Sequence, residues 1–306
     1  ARTAEIYGVT EGEARELLSI ERRQSLRLNP LVARPEETLE QLRALGWQGS
    51  PFPWTHDGYS IDSAMEQVRD SELVKQGAVF IQNASSWLPV LALDPHLDDF
   101  ILDVCAAPGG KSSHIAALTK NNARLWVNDN SRGRLAKMQA TFARLGVFPE
   151  RMMLYDATQI SRKLAGEEFD RILLDAPCSG EGLMRFDRDS DVARWSVAHI
   201  HRLQQLQKRI LTQVWELLKP GGTLVYSTCT AAPEENEAVV DYLLRTRPDA
   251  RVKPFDMELP NRVTTVEEWN GRHFSKPVQD CLRLAPSPHL EAFFVCKLAK
   301  AAPAHE

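Results

Sequence analysis

From about residue 76, short apolar segments alternate with longer segments in which apolar positions recur every three or four residues. The short apolar segments are typical of buried strands, whereas a spacing of three and four predicts amphipathic helices. The predicted strands are 100–104, 124–129, 151–156, 170–176 and 222–228, and the predicted helices are 111–120, 133–146, 202–219 and 234–245. This alternation predicts an α/β fold with a doubly wound, mostly parallel sheet covered by helices on both faces.

Two further apolar segments, 281–286 and 291–300, follow near the end of the chain. We expect them to form an antiparallel hairpin at one edge of the sheet.

The first 75 residues follow a different order, which is helix, strand, helix, strand. Thr10 and Glu13 have the spacing of a capping box at the start of the first helix. Residues 25–29 alternate like a short strand, and the next helix is expected to begin at Pro35 and to end at Gly46. We therefore predict a small α+β N-terminal domain over 1–75 and a larger α/β domain over 76–306.

The composition is that of a globular protein, with 306 residues, 43% hydrophobic and 25% charged. No apolar stretch approaches the ~20 residues that span a bilayer, and the N-terminus lacks the pattern of a signal peptide. We expect a soluble, cytoplasmic monomer without a membrane partner. A net charge of −4 argues against nucleic-acid binding through bulk positive charge, although the basic segment 199–210 is either a local patch or a solvated helix face.

The five cysteines are odd in number and widely spaced, without a CxxC pair. This pattern argues against a disulfide framework or a structural zinc site, and His199 and His201 have no partners at metal-ligand spacing. We therefore expect no metal. Cys281 and Cys296 are expected to fill the core.

Ligands of a doubly wound sheet bind at the carboxyl ends of its strands. The residues at the predicted ends are Asp103, Asp129, Asp156, Asp175 and Cys229. One or two acids there could be helix caps, but five polar or reactive groups along one rim exceed what capping needs.

Residues 103–116 form a strand, a turn with Gly109 and Gly110, and a helix start that favours negative charge. The turn matches neither a phosphate-binding loop nor the full dinucleotide fingerprint. It suits the carboxylate of a small zwitterion, while Asp129 could bind a ribose and Asp156 an adenine amine. The set suggests S-adenosylmethionine, although Asp129 alone could be a helix cap.

Three segments, DVCAAPGGK (103–111), DAPCSGEG (175–182) and YSTCTAAPEENE (226–237), are similar to motifs I, IV and VI of the NOL1/NOP2/Sun family of RNA cytosine-5 methyltransferases. The similarity also includes 25–29, 53–61, 77–93 and 282–298, and thus nearly the whole chain. The N-terminal segment most resembles the bacterial small-subunit rRNA enzymes of this family. Those enzymes carry a further C-terminal RNA-binding domain, which we expect this chain to lack. Thr230 stands where serine is commoner.

The resemblance implies a Rossmann-like methyltransferase domain that uses S-adenosylmethionine to methylate C5 of a cytosine in RNA, with rRNA favoured and tRNA as the alternative. A catalytically idle RNA-binding or assembly factor is the alternative from another class. We therefore expect residues 1–75 to form an RNA-contacting domain, with Arg22, Arg23 and Arg27 as candidate contacts.

The resemblance also implies site residues. Cys229 is the nucleophile, Cys178 assists product release, and Asp175 lies between cofactor and base. DNA cytosine-5 methyltransferases use the Pro-Cys cysteine instead, so Cys178 stays the alternative nucleophile. Arg134 could equally be a surface arginine and Lys111 a helix-start residue. The residues assigned to the cofactor are Cys105, Ala106, Ala107, Pro108, Gly109, Gly110, Lys111, Asp129, Arg134, Asp156 and Asp175.

These residue types fit the chemistry. A thiolate that adds to C6 of cytosine makes C5 nucleophilic, so the attacking cysteine is expected to have a lowered pKa. A protonated Asp175 could donate to N3 of the base during this addition. Cys105, inside the glycine-bearing loop, is expected to be a small packing residue.

Overall fold

The computed structural model of the protein describes residues 1–184 and 195–302. The strands are β1 (Ser25–Leu28), β2 (Gly58–Ser60), β3 (Val79–Ile81), β4 (Phe100–Asp103), β5 (Arg124–Asn128), β6 (Arg151–Met153), β7 (Phe169–Asp175), β8 (Leu218–Thr228), β9 (Ala250–Lys253), β10 (Arg262–Val263), β11 (Glu268–Trp269), β12 (Arg272–His273), β13 (Leu282–Leu284) and β14 (Phe293–Lys300). The α-helices are α1 (Arg2–Tyr7), α2 (Glu11–Ser19), α3 (Pro35–Ala44), α4 (Met65–Asp70), α5 (Glu72–Lys75), α6 (Leu88–Leu93), α7 (Gly110–Leu118), α8 (Arg132–Leu145), α9 (Ile160–Lys163), α10 (Val197–Glu216) and α11 (Glu237–Thr246).

The large sheet has the strand order β10-β13-β14-β8-β7-β4-β5-β6, and β9 also pairs with β14. Strands β6, β5, β4, β7 and β8 are parallel, and the remaining pairs are antiparallel. The chain passes from β4 to β5 on one side and returns to β7 on the other, which opens a crevice at the carboxyl ends of β4 and β7. The predicted α/β class is confirmed.

Alternate residues of β4 pack on opposite faces of this sheet. Leu102 belongs to a core cluster with Trp215 of α10 and Val239 of α11. Ile101 belongs to the other cluster, with Ile115 of α7. Helices therefore cover both faces of the sheet, and a hydrophobic core lies on each side of its strands.

The predicted hairpin is confirmed by the antiparallel pairing of β13 with β14. It does not form the margin of the sheet, because β10 pairs with β13 on the outer side. Strand β8 begins at Leu218, earlier than expected from its Pro-Gly-Gly sequence, because Leu218 pairs with Phe169 before a β-bulge shifts the register to Arg171 and Thr223.

The N-terminal residues form a second, three-stranded antiparallel sheet in the order β2-β1-β3. The capping box of Thr10 and Glu13 and the helix start at Pro35 are confirmed. All four residues of β1 are buried, so the strand does not alternate between core and solvent. Strand β3 lies beyond residue 75, and the boundary at that residue stays a prediction.

No helix within the described ranges is long and apolar enough to cross a membrane.

Candidate active site

The carboxyl ends of the parallel strands bring the predicted acids and Cys229 to one rim. Strand β4 ends at Asp103 and β7 ends at Asp175. Strand β5 ends at Asn128 and β8 ends at Thr228, so Asp129 and Cys229 are the first residues after these strands. Asp156 follows the short strand β6 by three residues and begins a 3₁₀ turn.

A cleft of about 280 Å³ opens at the crevice between β4 and β7. Asp103, Asp175 and every residue of the loop 105–111 except Gly109 line it. Four residues that the sequence did not predict complete the lining, namely Phe80, Ile81, Gln82 and Ser86. A smaller cavity of about 40 Å³ is lined by Asp129, Arg134 and Asp156, and Cys105 lines both spaces.

The loop at the cleft requires its two glycines. Gly109 has a φ of +100°, and a Cβ atom there would lie 2.8 Å from the ring of Phe142. A Cβ atom on Gly110 would lie 2.7 Å from Nε2 of Gln82. The glycines therefore let the loop pack closely against Phe142 and Gln82. Gly110 lines the cleft at the N-terminus of α7, where the helix dipole favours a carboxylate.

Asp129 is buried and keeps one oxygen available. Its Oδ1 accepts a hydrogen bond from the backbone N–H of Ser131 at 2.9 Å and forms an ion pair with Nη2 of Arg134, also at 2.9 Å. Its Oδ2 is buried and has no hydrogen-bond partner among the described residues. Such an atom is costly to bury, so the position suits a ligand hydroxyl as donor. Arg134 is half-exposed and orients this carboxylate.

Asp156 caps the 3₁₀ turn that follows it. Its Oδ1 accepts from the backbone N–H and from the hydroxyl of Thr158, both at 2.8 Å. These hydrogen bonds hold the pKa of Asp156 below its ordinary value. A stable carboxylate at the small cavity can accept a hydrogen bond from an amine.

The two cysteines of the predicted pair are in contact, with Sγ of Cys178 3.3 Å from Sγ of Cys229. Parallel pairing of β7 with β8 places the loop after β7 next to the end of β8. The hydrogen bond with Cys229 and burial raise the pKa of Cys178 well above its ordinary value.

Asp175 lies in an ion pair at the cleft. Its Oδ2 accepts from Nζ of Lys111 at 2.6 Å, and its Oδ1 accepts from the hydroxyl of Ser227 at 2.8 Å. Burial lowers the pKa of Lys111, but the charge and the hydrogen bond of Asp175, together with Cys229 and Asp103, raise this pKa above its ordinary value. Both oxygens of Asp175 therefore accept hydrogen bonds, and its role as a proton donor to the base stays a prediction.

Burial sets the ionisation of two other groups in the cleft. It raises the pKa of Asp103 to about 7, although the Ser112 hydroxyl donates to its Oδ2 at 2.6 Å and lowers the pKa in part. It also raises the pKa of Cys105. A buried thiol that stays protonated fits the expected packing role of Cys105.

One of the three arginines expected to contact RNA is inside the protein. Arg27 is 1% exposed and donates to the hydroxyl of Ser113 on α7 at 3.0 Å, so it cannot reach RNA. The alternating pattern of β1 suggested an outward position, but both faces of this strand are covered. Arg22 is partly buried and donates to the carbonyl of Met184, whereas Arg23 is exposed.

Sequence reasoning missed the buried acids of the segment 234–237. Glu235 accepts hydrogen bonds from the loop that carries Cys178, and Glu237 forms a buried ion pair with Arg283. A run of polar residues usually indicates a surface, and the only available signal was that this run directly follows a buried strand. Cys281 and Cys296 are buried, as expected.

The part of the chain that the structure describes contains no group of three or more His, Cys, Asp or Glu side chains arranged to hold a metal ion.

Comparison with known proteins adds independent findings. A family described as 16S rRNA methyltransferase RsmB/F matches residues 90–299. A tRNA (cytosine(49)-C(5))-methyltransferase from Pyrococcus abyssi is 36% identical over 286 residues, which cover 91% of this chain and 88% of that protein. A ribosomal RNA small subunit methyltransferase F from Cronobacter sakazakii is 35% identical and is matched over 92% of this chain, which spans only 57% of that protein. A crystal structure of a methyltransferase homologue from Pyrococcus horikoshii superposes with a TM-score of 0.84 at 30% identity, covering 98% of this chain and 93% of that one.

Proposed function

The chain belongs to the 16S rRNA methyltransferase RsmB/F family, and from this we propose that it transfers a methyl group from S-adenosylmethionine to C5 of a cytosine in RNA. The observation that carries the proposal is the contact of Cys178 with Cys229 at 3.3 Å, beside the ion pair of Lys111 and Asp175. Two thiols near a cation–carboxylate pair that lines the cleft match the needs of covalent catalysis on a pyrimidine.

The cleft and the small cavity fit S-adenosylmethionine. Oδ2 of Asp129, which has no hydrogen-bond partner in the part of the chain that the structure describes, offers an acceptor for a ribose hydroxyl, and Asp156 offers one for an adenine amine. The loop 105–111 and the start of α7 would receive the methionine carboxylate. When bound, this cofactor supplies an electrophilic methyl group on a sulfonium.

Cys229 acts as the nucleophile in this proposal. Its thiolate adds to C6 of the cytosine, which forms an S–C6 bond and moves the electrons of the C5–C6 double bond to C5. Lys111, held by Asp175, donates a hydrogen bond to the base as negative charge develops. Cys229 rather than Cys178 is assigned as the nucleophile because the resemblance to the RNA family gives this role to the cysteine of the segment 226–237.

Release of the product reverses the addition. After C5 has gained the methyl group, a general base takes the C5 proton. The electrons of the C5–H bond form the C5–C6 double bond as the S–C6 bond breaks and returns its electron pair to Cys229. Cys178 lies against the departing sulfur and assists this step, either as proton carrier or by hydrogen bonding to the thiolate.

Transfer of a labelled methyl group tests the proposal. The chain is incubated with labelled S-adenosylmethionine and, separately, with ribosomal RNA and with tRNA, and the RNA is digested to nucleosides. We expect label in 5-methylcytosine. Label in another nucleoside would overturn the proposed reaction, and an absence of transfer to either RNA would favour the catalytically idle RNA-binding factor.

Ribosomal RNA is the first candidate substrate, because the family and the N-terminal segment resemble small-subunit rRNA enzymes. The same chemistry on tRNA is the second candidate. It is supported by the archaeal tRNA enzyme, which this chain matches over 88% of that protein. The two RNA samples of the experiment distinguish them.

A further inference from the structure

The buried carboxylate of Glu235 contacts the loop that carries Cys178 and has no role in the mechanism proposed above. Glu235 follows β8 and is fully buried. It accepts hydrogen bonds from the backbone N–H of Ser179 at 2.9 Å, from the Ser179 hydroxyl, and from Nε2 of Gln207 at 2.8 Å. Since burying a carboxylate is costly unless donors surround it, these hydrogen bonds have to persist for the carboxylate to stay there.

The same contacts fix the residues on both sides of Cys178. Nε2 of Gln207 also donates to the carbonyl of Pro177 at 2.9 Å, and Glu235 holds Ser179. Gln207 and Glu235 therefore hold the residues immediately before and after Cys178. Gln207 lies on α10 and Glu235 lies in the segment after β8, so this support comes from outside the loop itself.

The network continues to the second thiol loop. The hydroxyl of Ser179 lies 2.9 Å from the hydroxyl of Thr230, the residue after Cys229. Cys229 has a separate support, because Asn236 donates to the carbonyl of Thr230 and accepts from the hydroxyl of Thr228. Loss of Glu235 should therefore disturb Cys178 more than Cys229.

We infer that Glu235 is a positioning residue that holds Cys178 against Cys229 and so sets the rate of product release. The inference rests on the proposed function. In the Glu235→Gln variant the amide oxygen can take the place of Oε2 and accept from Ser179 N–H and Gln207, while the amide nitrogen faces the Ser179 hydroxyl, which can no longer donate there. The hydrogen bonds also lose the carboxylate charge, so the Cys178 loop is held less firmly. Cys229 still attacks, and methyl transfer still occurs, but the covalent protein–RNA species persists.

The experiment compares Glu235→Gln with Glu234→Gln, using labelled S-adenosylmethionine and whichever RNA the wild type methylates. Glu234 is a matched control, because it is the adjacent buried glutamate but is held by Arg2 and Trp269 rather than by the thiol loops. First-turnover methylation, steady-state turnover and the adduct on a denaturing gel are measured for each variant. We expect Glu235→Gln to keep first-turnover methylation, to lose at least about tenfold in kcat at an unchanged KM for RNA, and to accumulate adduct. Glu234→Gln should behave like the wild type.

A second variant protects the test against a folding defect. Ser179→Ala removes one hydrogen bond to Glu235 and leaves the backbone donor, so it should accumulate adduct to a smaller extent. The inference is overturned if Glu235→Gln loses first-turnover methylation and turnover in parallel, or if it matches Glu234→Gln. If the wild type transfers no methyl group to RNA, the proposed function fails and this inference falls with it.

Discussion

The carboxyl group of Asp103 should make the free energy of unfolding fall as the pH rises through the neutral range. Burial raises its pKa from 3.8 to about 7 in the folded protein. Above the lower value the unfolded chain loses a proton that the folded protein retains, so the folded state becomes progressively less favoured. The effect starts above the unfolded pKa and levels off above the folded one.

The size of this effect follows from the two pKa values. Linkage gives a loss of roughly 2.5 kcal/mol between pH ~5 and pH ~8 from this single group. The Asp103→Asn variant, which cannot ionise, should lack this part of the pH dependence. The Ser112→Ala variant should show at least as much as the wild type, because it loses the hydrogen bond that lowers the pKa of Asp103.

Urea unfolding followed by tryptophan fluorescence at the two pH values measures these free energies. The change in unfolding free energy from low to high pH is compared between the wild type and Asp103→Asn, so that contributions of all other groups cancel. Equal changes in both proteins would refute the reasoning, since Asp103 would then ionise alike in the folded and unfolded states.

Three further predictions concern packing and the cofactor. Arg283→Met leaves the buried carboxylate of Glu237 without its cation and should lower the unfolding free energy by about 3–5 kcal/mol in a urea titration; a loss below ~1 kcal/mol would contradict it. Gly109→Ala meets both a positive φ and an aromatic ring, so calorimetry should show S-adenosylmethionine affinity reduced at least about tenfold, whereas Gly133→Ala, with open space at its Cβ, should bind normally. Asp129→Ala should lose about tenfold or more in the same affinity, because it removes the free Oδ2 acceptor, and unchanged binding would exclude its role.

The sheet could be predicted because its central strands are short apolar runs that end in acids or a thiol. Parallel strands place their carboxyl ends at one edge of the sheet. Asp103, Asp129, Asp175 and Cys229, which end or follow these strands, could therefore be predicted to lie along that edge. Strand β6 was predicted too long because its apolar run continues past Met153, where pairing with β5 stops. Strands β9 and β10 have mostly partly exposed or exposed residues and so lack an apolar signal.

The support behind the site could not be predicted from local pattern. Glu234, Glu235 and Glu237 resemble the solvated start of a helix, yet each is held by a partner distant in sequence. Arg27 is a similar case, because its burial depends on α7 covering the strand β1. Hydrophobic periodicity describes which face of an element is apolar, and it carries no information about charges that are paired inside.

The most direct test of the covalent mechanism is the adduct formed by the two cysteine variants. Cys178→Ala and Cys229→Ala are each incubated with S-adenosylmethionine and RNA, and the mixture is separated on a denaturing gel. The mechanism predicts that Cys178→Ala accumulates a covalent protein–RNA species and that Cys229→Ala forms none. An adduct with Cys229→Ala and none with Cys178→Ala would contradict the assignment and would make Cys178 the nucleophile.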